Sequence, residues 1–414
     1  MVALIKVGSL AEYRREIVEG REAEYEEARD IVKRIVRDVR DRGLEALREW
    51  SLKLDKMEPK VYRASDFEAA WSRLSRDVRE CILALRDSVE RFHRAQLPRE
   101  VSTENDGLSL RLAWKPLDSV GVYVPGGRHP YFSTLVMGVV PAKVAGVGRV
   151  VVASPLREDT RDVILGAAFV AGVDELLSCG GAQAIAALAY GVAVDPVDKV
   201  VGPGSLYVQL AKLEVADTVG FDMVAGPTEL VVISDGSCDP LLLAHDMLAQ
   251  AEHGPTSLVV LLDTDEEHML RTYEAYRSRY EEGFARTYFL KAEGLEECVD
   301  LVNALAPEHL MLALKDHEAV EKLVRNVGAI SVLTPPAIMD YCAGSNHILP
   351  TGGWARHRGA LTVYDFLKPV PIVSGLSKEL LEKSSRIAEL EGFKYHRLSL
   401  RLRTRPSGQD SRGS

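Results

Sequence analysis

Cysteine is scarce in this chain and follows no pattern: five residues in 414, at Cys81, Cys179, Cys238, Cys298 and Cys342, with no CxxC and no close pairing. An odd, scattered set excludes a disulfide framework and reads as reduced thiols, so a cytoplasmic location is expected. Long apolar runs are missing too. Nothing approaches the about 18 uninterrupted apolar residues that a membrane helix needs. The opening MVALIKVGSL passes at once into mixed charge and is too short for a secretory signal. Positive charge is in deficit: 51 Lys and Arg against 61 Asp and Glu leave a net charge of −10 and a pI near 5.6. No global positive field exists to attract a phosphate backbone, so neither nucleic acid nor membrane is an expected partner. There is also no GxGxxG, which excludes a standard dinucleotide loop.

What is present is the composition of a globular protein, with 46% hydrophobic residues and a mean hydropathy of −0.04. At 414 residues the chain exceeds what one core normally spans, and two or more domains are expected. Residues from about 10 to 95 carry apolar positions at helical spacing, as in EEARDIVKRIVRDVRDRGLEALREW, and predict several amphipathic helices with a solvated charged face. From residue 118 short β-rich runs alternate with Ala/Val/Leu-rich segments of helical length: SVGVYVP, RVVVASP, ELLSCGG and KVVGPG, then ELVVISD, SLVVLLD and GAISVLT. Alternation at this pitch predicts parallel, doubly wound sheets. The expected fold class is α/β, with two Rossmann-like domains at 116–229 and 230–366. A helical N-terminal segment (1–115) packs on them, and a small helical tail (367–414) closes the chain, its polar last ten residues disordered.

Four polar constellations stand out. In LLLAHDMLAQAEHGP a helix is predicted to run through 253 until Gly254-Pro255 stops it, which puts Gln250 and His253 on one face. An amide oxygen and an imidazole there suit a borderline divalent metal, and a solvated polar face is the ordinary alternative. In NALAPEHLML, Glu308 and His309 form a possible acid/base pair, or else the first turn of a helix after Pro307. The loop DYCAGSNHILP offers Asp340 and His347 as ligands or substrate contacts, and equally reads as a capped turn. Late in the chain, EGFKYH brings Glu391 and His396 together. The strand ends carry Gly126-Gly127, Gly180-Gly181 and Gly202-Pro203-Gly204, where a backbone can approach a ligand closely.

Taken in order, GVYVPGG, AKVAGV, GGAQAIAALAYG, VDKVVGPG, AGPTE, LLAHDMLAQAEHGP, APEH, DYCAGSNHILPT and EGFKYHRLSLRLR give a chain that resembles the histidinol dehydrogenase family over nearly its whole length. The resemblance implies one Zn2+ per subunit, held by Gln250, His253, Asp340 and His396. The last of these is implied to come from the partner subunit of a domain-swapped homodimer with shared active sites. It implies oxidation of L-histidinol to L-histidine through histidinal, four electrons passing to two NAD. His309 matches the base that takes the alcohol proton, and Glu308 the residue that activates water for the second step. Thr228, His347 and Glu391 match substrate contacts, alongside the four metal ligands and His309. Tyr123, Gln183 and the residue after the GPG loop, Ser205, match cofactor contacts. The first domain is thus implied to bind NAD, and the second to carry the metal and catalytic residues.

Three positions depart from the family pattern. Ser205 stands where Asn is usual, Thr228 where Ser is common, and Arg128 lies in a loop that usually holds small residues. Arg128 suits relatives that oxidise another amino or sulfonated alcohol, since a guanidinium pairs with an anionic group. A solvated loop arginine accounts for it equally. A non-catalytic metal or nucleotide module is the remaining alternative.

Overall fold

The short apolar runs become strands because helices cover them on both faces. The computed structural model describes residues 5–19, 25–126 and 130–404. In chain order its strands are β1 (Ile5–Ser9), β2 (Val61–Tyr62), β3 (Val101–Asn105), β4 (Leu108–Pro116), β5 (Ser119–Tyr123), β6 (Arg149–Ala153), β7 (Glu175–Leu177), β8 (Lys199–Val201), β9 (Gly220–Phe221), β10 (Glu229–Ser234), β11 (Leu258–Asp263), β12 (Arg286–Lys291), β13 (His309–Ala313), β14 (Ala329–Val332) and β15 (Leu367–Gly375). The described residues fall into two compact units, one within 1–97 and 116–366, the other within 98–115 and 367–414.

The first unit holds two six-stranded sheets, ordered β2-β7-β6-β5-β8-β9 and β1-β12-β11-β10-β13-β14. Among the described residues the strand pairings in them are parallel except that of β2 with β7. Parallel strands covered on both sides are near-continuously apolar. β10 and β11 fit this, with all six residues of each buried. Pleating divides β10 between two cores: Val231 and Ile233 join one cluster, Leu230 and Val232 the other. Each such side chain contributes roughly 1.5–3 kcal/mol by leaving water. Strand order reverses between β5 and β8 in the first sheet and between β10 and β13 in the second.

The N-terminal helices follow the spacing read from sequence. Helix Tyr25–Arg42 buries Ala28, Val32, Ile35, Val36 and Val39 against helix Gly181–Tyr190 and its neighbours. Helix Arg76–Ala95 starts where the Ser75 hydroxyl accepts the N–H of Val78. The region expected to be helical nonetheless yields strands. β1 joins the far edge of the second sheet through β12, and β2 the edge of the first through β7.

The second unit orders β15-β4-β3, with β3 and β4 an antiparallel hairpin. β15 replaces the expected helical start of the tail. Pro369 and Pro371 cannot continue a helix, and an edge strand tolerates their missing N–H groups. Helices Lys378–Leu390 and Lys394–Leu402 follow. The terminus expected to be disordered, from 405 on, lies outside the described residues, as does Arg128. No helix among the described residues is long and apolar enough to cross a membrane.

Candidate active site

Helix Pro240–Ala251 is capped by Asp239, whose carboxylate accepts the Leu241 N–H, and it ends at Ala251 rather than continuing through His253. Glu252 and Gly254 close the turn on Leu248 and Ala251, and Gly254 takes φ +121. A residue with a Cβ adopts that conformation only under strain, so the helix must stop here. Gln250 is therefore in the last turn and buried, and His253 lies just beyond it and is exposed. The Gln250 amide Nε2 donates to the Thr228 hydroxyl, which in turn donates to Glu308 Oε2. The amide oxygen, the atom a cation would use, stays uncommitted among the described residues.

Glu308 and His309 do not begin a helix. His309 is the first residue of β13, paired with Leu230 of β10 and Ala329 of β14. Both side chains are buried, with His309 Nε2 and Glu308 Oε1 4.0 Å apart. Burial pushes the Glu308 carboxyl well up from its usual range, against the hydrogen bonds from Thr228 and from the Glu229 N–H at 3.1 Å. Burial pushes the His309 imidazole down to about 3, helped by the nearby charges that His347 and His253 would carry. A neutral imidazole beside a buried carboxyl is an arrangement suited to moving protons.

His347 arrives on the loop after β14. Its Nδ1 lies 3.0 Å from the Asp340 carbonyl, which can only accept, so Nδ1 carries the proton. Nε2 then accepts from the Thr134 hydroxyl at 2.9 Å, and burial pushes the ring down to about 4. Asp340 is partly buried, and burial alone raises its carboxyl to about 7. No donor or cation meets that carboxylate among the described residues. A carboxylate without a counter-charge and a spare amide oxygen are donor types that zinc accepts. Among the described residues no three His, Cys, Asp or Glu side chains come together as a metal site.

His396 and Glu391 belong to the second unit, both exposed. They line one small cavity of about 200 Å3 together with Phe393 and Leu400.

The expected cofactor contacts sit elsewhere, at the carboxyl edge of the first sheet. Tyr123 ends β5 and is buried, its hydroxyl accepting the Gly181 N–H at 3.1 Å. Gln183 is fully buried with its Oε1 unpartnered, an orphaned acceptor that fits a site awaiting a donor group. Ser205 is exposed and precedes helix Leu206–Glu214 without capping it through its side chain. Between β5 and β8, Gly202 takes φ +122, and a Cβ there would meet the Tyr123 carbonyl oxygen at 2.1 Å. Only glycine lets the turn after β8 pack this closely against the end of β5.

The two edges thus differ. The cofactor residues lie at the carboxyl edge of the first sheet, whereas Thr228, Glu308 and His309 cluster at the amino edge of the second. The segment 346–351 links them. Asn346 Nδ2 donates to the Met137 carbonyl at 2.7 Å, His347 meets Thr134, and the Thr351 hydroxyl accepts the Gly226 N–H. Sequence reasoning missed Asp55 and Thr134, which hold Gln183 and His347 from 128 and 213 residues away. No local spacing marks either.

A family model described as histidinol dehydrogenase matches residues 18–404. A histidinol dehydrogenase of Saccharolobus solfataricus is 43% identical over 383 residues, spanning 90% of this chain and 95% of the relative. Another, of Thermus thermophilus, is 44% identical over 390 residues, spanning 90% and 94%. The crystal structure of histidinol dehydrogenase from Elizabethkingia anophelis superposes with a TM-score of 0.89 at 27% identity, covering 96% of this chain and 97% of that one.

Proposed function

Because this chain belongs to the histidinol dehydrogenase family, we propose that it oxidises L-histidinol to L-histidine through histidinal, reducing two NAD and using one zinc per subunit. It is an oxidoreductase of a family that fits histidine biosynthesis. The observation that carries the two-step reading is the pair Glu308 and His309, buried together 4.0 Å apart with the imidazole held neutral.

In the first step His309 would take the proton of the alcohol, and in the second Glu308 would take a proton from the water that adds to the aldehyde; NAD, when bound, would supply the hydride acceptor for both. Thr228 holds Glu308 and Gln250 in register through its hydroxyl. The Thr134 hydroxyl holds the His347 ring by donating to Nε2, and a substrate reaching that nitrogen would displace the hydroxyl. Gln250, His253, Asp340 and His396 would hold the zinc, whose chemistry is to bind the imidazole and amino nitrogens of histidinol and so align the carbinol carbon. Tyr123, Gln183 and Ser205 would contact NAD, and Glu391 the substrate. His396 and Glu391 are given across a homodimer, in the cytoplasm.

Chelation tests the metal assignment. Protein stripped with a chelator should lose histidinol oxidation, and one zinc per chain should restore it. Full turnover by metal-free protein would remove Gln250, His253, Asp340 and His396 from the mechanism.

A further inference from the structure

In an open α/β sheet, the helix that follows a strand offers its N-terminal N–H groups to a phosphate. At helix Gly181–Tyr190, which follows β7, that place is taken by the protein itself. Asp55, which caps the far end of helix Leu44–Leu54, brings its Oδ2 to the Gly180 N–H at 3.0 Å and to Gln183 Nε2 at 3.1 Å. The Gly181 N–H is already bonded to the Tyr123 hydroxyl. A phosphate arriving here would find two donors used and a carboxylate facing it.

Two acceptors are left over. Asp55 Oδ1 has no partner among the described residues, and Gln183 Oε1 is buried without one. The Gln183 oxygen lies over the first turn, where a Cβ on Gly181 would come within 2.6 Å of it. Spare acceptors and a negative charge beside them favour a neutral group that donates hydrogen bonds over a phosphate. A ribose diol has that character, and a phosphorylated ribose does not.

We propose that Asp55 is a specificity-determining residue that accepts from the adenosine ribose hydroxyls of the cofactor and rejects a dinucleotide carrying a 2′-phosphate. This rests on the dinucleotide reading given above. It assigns to a residue of the N-terminal helical region a direct contact with the cofactor.

Equilibrium binding of NAD+ and NADP+ to the zinc-loaded full chain, measured by calorimetry for the wild type and for Asp55→Asn, tests it. The wild type should prefer NAD+ by about tenfold or more, and the neutral variant should bring the two affinities together. An unchanged ratio in Asp55→Asn overturns the assignment, as does equal binding of both by the wild type. Should the variant not fold, the wild type is titrated with 5′-AMP and with adenosine 2′,5′-bisphosphate. Tighter 5′-AMP binding supports the role, and equal binding overturns it. A wild type that binds NADP+ and NAD+ not at all sinks the dinucleotide reading itself, a result distinct from loss of selectivity.

Discussion

At the scale of single residues, burial decides what the polar groups can do. Glu308 sits where a charge is costly, so it is a carboxyl ready to hold or pass a proton, while its two hydrogen bonds fix its position. Glu308→Gln keeps the acceptor for Thr228 and Glu229 but cannot take a proton from water. The second oxidation should slow by about 100-fold or more while the first persists, leaving aldehyde that a carbonyl-trapping reagent captures. Undiminished histidine formation would remove Glu308 from the water step. Asp246 obeys the same physics away from the chemistry. It is partly buried on helix Pro240–Ala251, and burial raises its carboxyl to about 6, only weakly opposed by His245. Between pH 4 and 6 the folded protein therefore holds a proton that the unfolded chain has released, and stability falls as pH rises through that window. Asp246→Asn should raise stability by about 1–2 kcal/mol at pH 8 and by nothing near pH 3.5, read from denaturation midpoints at the two pH values.

At the scale of elements, the turn after β8 depends on a buried ion pair. Lys212 lies 2.6 Å from Asp222, with both side chains essentially inaccessible. Lys212 Nζ donates to the Gly202 carbonyl at 2.9 Å, and Asp222 accepts the Gly202 N–H at 2.7 Å. The two charges thus hold Gly202 from both sides, Asp222 at the glycine N–H and Lys212 at the glycine carbonyl. Lys212→Met leaves Asp222 buried without its counter-charge and should cost about 3–5 kcal/mol. Adding Asp222→Asn should recover part of that loss, and urea denaturation of the single and double variants measures it. None of this was legible in the sequence, where Lys212 is one helical lysine among many and Asp222 lies in an irregular stretch. The central strands were legible because being covered on both faces demands continuous Val, Leu and Ile. The edge strands β1 and β2 were not: β2 has only two residues, and the partners of both lie far along the chain. The site divides in the same way. Gln250, His253, Glu308, His309, Asp340 and His347 stand in compact motifs, whereas Asp55 and Thr134 act only through contacts that the fold creates. Helix Pro240–Ala251 ended early because its last turn yields to the Gly254 conformation, which residue spacing alone does not encode.

At the scale of the whole molecule, the expected site residues are divided between two units, with the ligand His396 and the substrate contact Glu391 in the smaller one. Helices Lys378–Leu390 and Lys394–Leu402 also leave Ile387, Leu390, Phe393 and Leu402 exposed, an apolar surface that suits a subunit contact. If each site takes His309 from one chain and His396 from the other, two inactive variants should complement. Co-expressed His309→Ala and His396→Ala chains should regain about a quarter of wild-type turnover, since half the dimers are mixed and each has one complete site. No recovery would place both residues of a site in one chain. A single site that carries out two successive oxidations must form two NADH for each histidinol consumed. Zinc-loaded protein is given limiting L-histidinol and excess NAD+, and the NADH formed per histidinol is measured with the product identified. Two NADH and histidine is the predicted result. One NADH with aldehyde as the end product would contradict it.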